Sequence, residues 1–379
     1  MREIVILGST GSIGVQALEI IAANPNKFRV VALAAGSKNI PLLIEQARKF
    51  SVPIIATTAE RAEVQELAGD IQVIDGPLAA SEVATIPCDI VLNGITGSIG
   101  LGPTLAALGV GNKVALANKE SLVAGGDLVM AFGRDRIIPV DSEHSALYQC
   151  FLAGKSSEVK KVILTASGGP FRDREDLSDV TVADALAHPT WAMGPLVTIN
   201  SATLMNKGLE IIEAHYLFDI PYAAIDAVIH PQSVVHSMVE FIDGSTLAQA
   251  SPPNMKGPIA YALGNGERVA RATQPVDWSR SHRWDFAPID TARFPAIDLA
   301  RRCGELGGGL PAIFNAANEV AVEAFLNEQI AFTAIVDIVE LAVQKLGGGA
   351  PVIARNLADV SAIEDGARRI AHELVQEKK

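Results

Sequence analysis

The segment Pro139-Val140-Asp141-Ser142-Glu143-His144 holds two carboxylates separated by a single residue, directly after the apolar run Ile137-Ile138. The run reads as a strand. Side chains two apart on a strand share a face, so Asp141 and Glu143 are expected to point the same way, with Ser142 opposite. Like charges on one face repel unless a cation lies between them. Hard carboxylate oxygens suit Mg²⁺ or Mn²⁺ better than zinc. The same two residues also fit a solvated strand end that binds nothing.

A third acid, Glu210, falls in Ser201–Ala214, which reads as one helix. The spacing of Asn206, Lys207 and Glu210 puts all three on one helical face. Such pairs commonly form a solvated salt bridge. Here Leu204, Met205, Leu209, Ile211 and Ile212 surround them and leave little room for a wet face. A buried carboxylate needs a partner cation, which makes Glu210 the natural third ligand beside Asp141 and Glu143. Three acids with no histidine pair again point to Mg²⁺ or Mn²⁺. Ser167, Ser201, Asn206 and Lys207 supply hydroxyl, amide and ammonium donors without a carboxylate, a set that suits a phosphate.

The elements that must position these groups begin at the N-terminus. The run Glu3–Leu7 is followed by Gly8-Ser9-Thr10-Gly11-Ser12-Ile13-Gly14, an amphipathic segment and the strand Phe28–Ala34. Strand, glycine turn, helix, strand is the first unit of a dinucleotide-binding fold. Its helix N-terminus offers free N–H groups to a pyrophosphate. The spacing is GxxGxxG rather than GxGxxG, so the turn also fits an ordinary strand-to-helix connection. The second strand ends in Ala35-Gly36-Ser37-Lys38-Asn39 without the acid that usually holds a ribose 2′-hydroxyl. A hydroxyl, an amine and an amide there suit a 2′-phosphate, hence NADPH. Further strands are expected at Val52–Ala56, Ile71–Ile74, Cys88–Asn93 and Lys113–Ala117. The pentapeptide Thr-Gly-Ser-Ile-Gly recurs at 96–100. Asn118, Lys119 and Glu120 close the last strand at the carboxyl edge where ligands bind.

Length and charge narrow the function. With 379 residues the chain is too long for one core. Hydrophobic residues make up 49% and the net charge is -12, so nucleic acid is not an expected partner. Three widely spaced cysteines fit a reducing cytoplasm, not a disulfide framework. No leader and no membrane-spanning run is read.

Seven segments, in order, resemble the 1-deoxy-D-xylulose 5-phosphate reductoisomerase family: Gly8–Gly14, Ala117–Val123, Pro139–His144, Thr165–Arg172, His188–Gly194, Ser201–Glu210 and His230–His236. The likeness runs nearly end to end. It implies an α/β chain with a Rossmann-like NADPH-binding domain at 1–140 and a central α+β catalytic domain with a lid loop at 141–264. A linker at 265–290 and a C-terminal α-helical bundle at 291–379 follow. It implies a small phosphorylated sugar substrate held at its phosphate by Ser167, His188, Ser201, Asn206 and Lys207, with Lys119, Ser142 and Glu143 near its hydroxyls. Cofactor contacts are implied at Thr10, Gly11, Ser12, Ile13, Gly36, Lys38, Asn39, Asn118, Glu120 and Gly194, and a homodimer as the assembly. Trp191 and Met193 match the family's lid, whereas the residues alone fit a core plug equally. The chain departs from the family's pattern at Leu196 and Asn200, where Lys and Asp are usual; this bears on lid movement and pH response.

The implied reaction is a rearrangement of the carbon skeleton followed by hydride transfer, with Glu143 as a proton shuttle and Lys119 beside it. Fragmentation–recombination and a 1,2-shift fit equally. Two other readings stay open: an NADP-dependent dehydrogenase that needs no metal, and an NADPH-sensing regulator with no turnover. His230 and His236 are expected to serve the core or sheet rather than a metal.

Overall fold

β1 (Arg2–Leu7) ends in a continuous apolar run, and Ile4, Val5, Ile6 and Leu7 are all fully buried. Burial on both faces is the mark of a parallel strand covered by helices, and the computed structural model, which describes residues 1–191, 193–349 and 352–378, has that architecture. β2 (Phe28–Ala35), β3 (Ile54–Thr57), β4 (Gln72–Asp75), β5 (Ile90–Asn93), β6 (Lys113–Leu116) and β7 (Ile137–Pro139) complete a parallel sheet in the order β4-β3-β2-β1-β5-β6-β7. The order reverses between β1 and β5, so the crevice beyond their carboxyl ends is the place where such sheets bind ligands.

The turns that bound that crevice pack backbone on backbone, with no room for a side chain at Gly8 or Gly14. Gly8 has φ +82°, and a Cβ on it would lie 2.8 Å from the carbonyl oxygen of Gly94 at the end of β5. A Cβ on Gly14 would lie 2.4 Å from the Gly8 carbonyl oxygen and from Ser9 Cα. The helix Ser12–Ala23 therefore starts in backbone contact with the turn that precedes it.

The chain divides into two compact units. The first comprises residues 1–121, 127–145 and 254–274. Its helix Lys256–Leu263 packs into the core beside the parallel sheet, so residues 254–264 lie with the first unit rather than with the central span. Lys256 pairs with Glu19 at 2.8 Å there. The second unit comprises residues 122–126, 146–253 and 275–379. Its sheet joins β8 (Val159–Ala166), β9 (Ile225–Ile229), β10 (Val235–Phe241), β11 (Thr246–Ala250) and β12 (Ala287–Pro288) in the order β11-β10-β8-β9-β12. Among the described residues of this sheet the β8–β9 pair is parallel and the others are antiparallel. The helices Ala296–Leu306, Leu310–Leu326, Ala334–Gly347 and Leu357–Glu377 form the C-terminal helical region and share one apolar core with this sheet. Among the described residues no helix is long and apolar enough to cross a membrane.

Three local expectations fail, each for a readable reason. The strand ends at Pro139, and Ser142–Cys150 is a helix, so Asp141 and Glu143 are not alternate residues of one strand. An Asp before Ser-Glu is a helix start, with Glu143 in the first turn where the helix dipole favours an anion. Ser201–Ala214 is two helices, Pro195–Ala202 and Met205–Phe218. Leu204 breaks them with φ +57° while only 2% exposed, and the Thr203 hydroxyl secures the break by donating to the Ile199 carbonyl at 3.0 Å. Val228–Ile242 reads from the sequence as one strand that turns at Asp243-Gly244 into Ser245–Ala250; the hairpin is there as β10 and β11, but the run is interrupted after Ile229, where His230 is buried.

Gly14→Ala is expected to destabilise the protein by about 1–3 kcal/mol or more, because backbone atoms must move to admit the methyl group. Gly36→Ala meets nothing within 4 Å and is expected to leave stability unchanged. Thermal unfolding of the two variants checks the pair.

Candidate active site

In the first unit the turn after β1 carries Thr10, Gly11, Ser12 and Ile13, with Gly11 and Ser12 exposed. Gly11 caps the helix Ser12–Ala23 with no side-chain hydrogen bond. Ser9, which the sequence reading did not single out, is fully buried there, and its hydroxyl has no hydrogen-bond partner among the described residues. Open helix N–H groups beside an unanswered hydroxyl suit a pyrophosphate, so the residues present fit a dinucleotide. Gly36, Lys38 and Asn39 lie exposed at the end of β2. The Asn39 amide oxygen caps the helix Ile40–Lys49 by accepting from Leu42 N at 3.3 Å.

Asn118 is 1% exposed. Its amide nitrogen donates to the carbonyls of Ile95 and Gly97 and to Glu120 Oε2, at 2.6, 2.8 and 3.0 Å. Its oxygen accepts from Ser121 N at 3.0 Å. Asn118 therefore braces the second Thr-Gly-Ser-Ile-Gly turn, and Gly100 has no room for a Cβ because that amide lies 2.7 Å away. Asn93, also fully buried, supports the same turn from β5 by donating to Gly100 O at 2.9 Å and accepting from Ile95 N at 3.1 Å. Sequence reading placed Asn118 beside the cofactor and missed Asn93; the strand-end position of Asn93, before a glycine, was the available signal.

Lys119 forms an ion pair with Asp141 in a partly buried setting. Ser142 Oγ donates to Glu143 Oε2 at 2.6 Å, and Ser142 N donates to Asp141 Oδ1 at 2.9 Å. Both carboxylates keep hard oxygen donors, the chemistry a small divalent cation takes. Asp141 and Glu143 lie in the first unit and Glu210 in the second.

In the second unit Asn206, Lys207 and Glu210 share the face that their spacing indicated. Glu210 accepts from Lys207 Nζ and from Asn206 Nδ2, and the Lys207 and Glu210 side chains are 3% and 1% exposed. Lys207 thus answers the burial of Glu210, so burial alone does not call for a metal; the fit of an ion rests on the carboxylate chemistry of the three acids.

Ser167 follows β8, and Ser201 lies next to the end of the helix Pro195–Ala202. His188 joins them: its Nε2 is 3.1 Å from Ser167 Oγ and 3.0 Å from Ser201 Oγ. Its Nδ1 accepts from the backbone N–H groups of Thr190 and Trp191 at 3.1 and 2.9 Å. An acceptor nitrogen carries no proton, so the proton of the neutral ring is on Nε2 and points to the two serines. Both serine oxygens accept there, which leaves their own hydrogens for an anion. Burial, and then the nearby Arg172 charge, push the His188 pKa below its usual 6.5. The ring is neutral at physiological pH.

Trp191 is half-buried and meets the His236 ring edge-on at 6.4 Å. It lies outside the buried core, as does the half-buried Met193. Gly194 is exposed and precedes the helix Pro195–Ala202, Leu196 packs against the core, and Ala192 lies outside the described residues. His230 is fully buried and serves the backbone: Nδ1 is 2.9 Å from Asp285 O, and Nε2 accepts from Val234 N and Val235 N at 3.1 Å. His236 Nε2 lies 3.2 Å from Ser251 O.

Comparison with known proteins gives three consecutive family matches. The profile described as 1-deoxy-D-xylulose 5-phosphate reductoisomerase matches residues 4–126. Its C-terminal domain profile matches residues 137–218, and the DXP reductoisomerase C-terminal domain profile matches residues 250–370. The 1-deoxy-D-xylulose 5-phosphate reductoisomerase of Kitasatospora griseola is 54% identical over 382 residues, covering 98% of this chain and 99% of that protein. The namesake from Mycobacterium marinum is 56% identical over 338 residues, covering 88% and 83%. Among solved structures, the Zymomonas mobilis reductoisomerase in complex with NADPH superposes with TM-score 0.91 at 40% identity, covering 99% of each chain. A DOX-P reductoisomerase in complex with NADPH, fosmidomycin and magnesium gives 0.90 at 38% identity, covering 99% and 98%.

A lowered His188 pKa has a fixed sign. The neutral ring contributes stability that is present above about 6.5 and is lost as pH falls towards the folded value. Thermal unfolding followed from about pH 7.5 to about pH 5 is expected to show a larger loss for the wild type than for His188→Gln, which has no such proton to bind.

Proposed function

The chain belongs to the 1-deoxy-D-xylulose 5-phosphate reductoisomerase family, and on that premise we propose how its residues divide the work. The protein is an NADPH-dependent oxidoreductase that rearranges and reduces 1-deoxy-D-xylulose 5-phosphate to 2-C-methyl-D-erythritol 4-phosphate in isoprenoid precursor synthesis. Its cofactors are NADPH and a divalent metal, with magnesium present in solved relatives.

Asp141, Glu143 and Glu210 supply the carboxylates that hold the metal, and manganese fits the same donors. When bound, the ion polarises the ketone and neighbouring hydroxyl oxygens, and NADPH supplies the hydride. Glu143 moves the hydroxyl proton, with Ser142 holding its carboxylate. Lys119 meets the substrate hydroxyls. Ser167 and Ser201 donate their hydroxyl protons to the phosphate, aimed there by His188 Nε2–H, and Asn206 and Lys207 join them. Thr10, Gly11, Ser12 and Ile13 hold the pyrophosphate of NADPH, Gly36, Lys38 and Asn39 its 2′-phosphate, and Asn118, Glu120 and Gly194 its nicotinamide half. Trp191 and Met193 cover the substrate and exclude water. The first unit carries NADPH; the second carries the phosphate. We place the enzyme in the cytoplasm as a homodimer, with the open edge of β11 as the pairing strand.

The observation that carries the phosphate assignment is the pinned His188 ring. With its proton on Nε2, two serine hydroxyls are left as donors around one spot, and among the described residues no carboxylate is hydrogen-bonded to any of the three. A neutral donor cluster recognises an oxyanion without needing a titrating cation.

NADPH absorbance followed with 1-deoxy-D-xylulose 5-phosphate and Mg²⁺ tests the whole reading. Turnover is expected to require both, to stop with chelator, and to fall by roughly a hundredfold or more in Glu210→Gln. Full turnover of the sugar phosphate in chelator would favour a dehydrogenase without a metal; NADPH binding without oxidation would favour a regulator.

A further inference from the structure

The helix Pro195–Ala202 is short, yet it must hold Ser201 Oγ at hydrogen-bond distance, 3.0 Å, from His188 Nε2. On one side it meets the turn after β8. Gly169 has φ +63°, and a Cβ on it would lie 2.8 Å from the Ser201 carbonyl oxygen. On another side a polar contact crosses the core: Asn318 Nδ2, on the helix Leu310–Leu326, donates to Asn200 Oδ1 at 2.9 Å. Asn318 is fully buried and Asn200 is 5% exposed. The Asn318 oxygen has no partner among the described residues. Around them the core is apolar, with Ile199, Ala202, Ala317, Ala321 and Val322 all fully buried.

A leucine pair would fill such a place without leaving an amide oxygen unanswered, so the arrangement gives up stability for something else. Apolar contacts resist compression but tolerate rotation of a short helix. A directional bond one residue before Ser201 does not. We infer that Asn318, through Asn200, is a positioning residue for the phosphate site: it sets the rotation of the Pro195–Ala202 helix and so the aim of the Ser201 hydroxyl. This rests on the reading of Ser201 as a phosphate donor. It gives the C-terminal helices, which carry no assigned chemistry, a part in substrate recognition.

The test uses the full chain with NADPH and Mg²⁺, and compares Asn318→Leu, Asn200→Leu/Asn318→Leu, Val322→Ala and Ser201→Ala. Asn318→Leu is expected to raise the KM for 1-deoxy-D-xylulose 5-phosphate by roughly tenfold, since small misplacements carry large factors, while the KM for NADPH stays put. Val322→Ala weakens the same helix without touching the bond and is expected to lower Tm but not raise the substrate KM. In the double leucine variant no orphaned amide remains, so Tm is expected to recover while KM stays high. Asn200→Asp keeps an acceptor for Asn318 and is expected to retain the wild-type KM. A double variant with both Tm and KM restored would overturn the inference, as would a substrate KM that tracks Tm across all variants. If Ser201→Ala leaves the KM unchanged, the phosphate reading itself fails and takes the inference with it. If Ser201→Ala raises the KM and Asn318→Leu does not, the inference alone fails.

Discussion

A carboxylate cannot leave water without a positive or donor group beside it. Glu210 meets that demand deep in the second unit, with Lys207 and Asn206 from its own helix closing on it at 1% exposure. Much of the second unit is arranged to keep this small polar island intact. Leu204 takes a left-handed conformation to start the helix in the right place, and Ala300 and the Ala296 carbonyl crowd the neighbouring Gly208, where a Cβ would lie 2.8 Å from Ala300 Cβ. Lys119 does the same for Asp141 in the first unit. In both units a lysine neutralises an acid that the proposed chemistry needs to be anionic.

The sheet of the first unit was legible because its signals are local. Continuous apolar runs bounded by glycine turns give buried parallel strands, and each expected strand there, except the one carried on through Asp141 and Glu143, has its ends within two residues of an observed one. The pair at Lys207 and Glu210 was legible for the same reason, since helical spacing alone puts them together. Asp141 and Glu143 were misjudged because two alternate acids are too short a pattern to separate a strand from the first turn of a helix.

What escaped the sequence is what depends on distant partners. No local rule breaks a helix at Thr203 and Leu204; tertiary packing does so, against the intrinsic cost of a left-handed leucine. His188 was read as a phosphate ligand, but the state of its ring follows from two backbone N–H groups that only the fold brings to Nδ1. Residues 254–264 lie among the second half of the chain and pack with the first, which no composition shift announces. Asn200 was visible as a departure from the family's pattern, yet its partner lies 118 residues on.

The pentapeptide Thr-Gly-Ser-Ile-Gly occurs twice, after neighbouring strands of one sheet, with opposite fates. At 10–14 the pentapeptide opens a helix with no side-chain cap; at 96–100 the Asn118 carboxamide, from the end of β6, occupies the Gly97 carbonyl and that of Ile95 just before it. Identical words therefore carry different meanings in this chain. Gly97 takes φ +82° where Gly11, its counterpart, takes φ −80°, so one pentapeptide folds into two different turns and only its surroundings decide which.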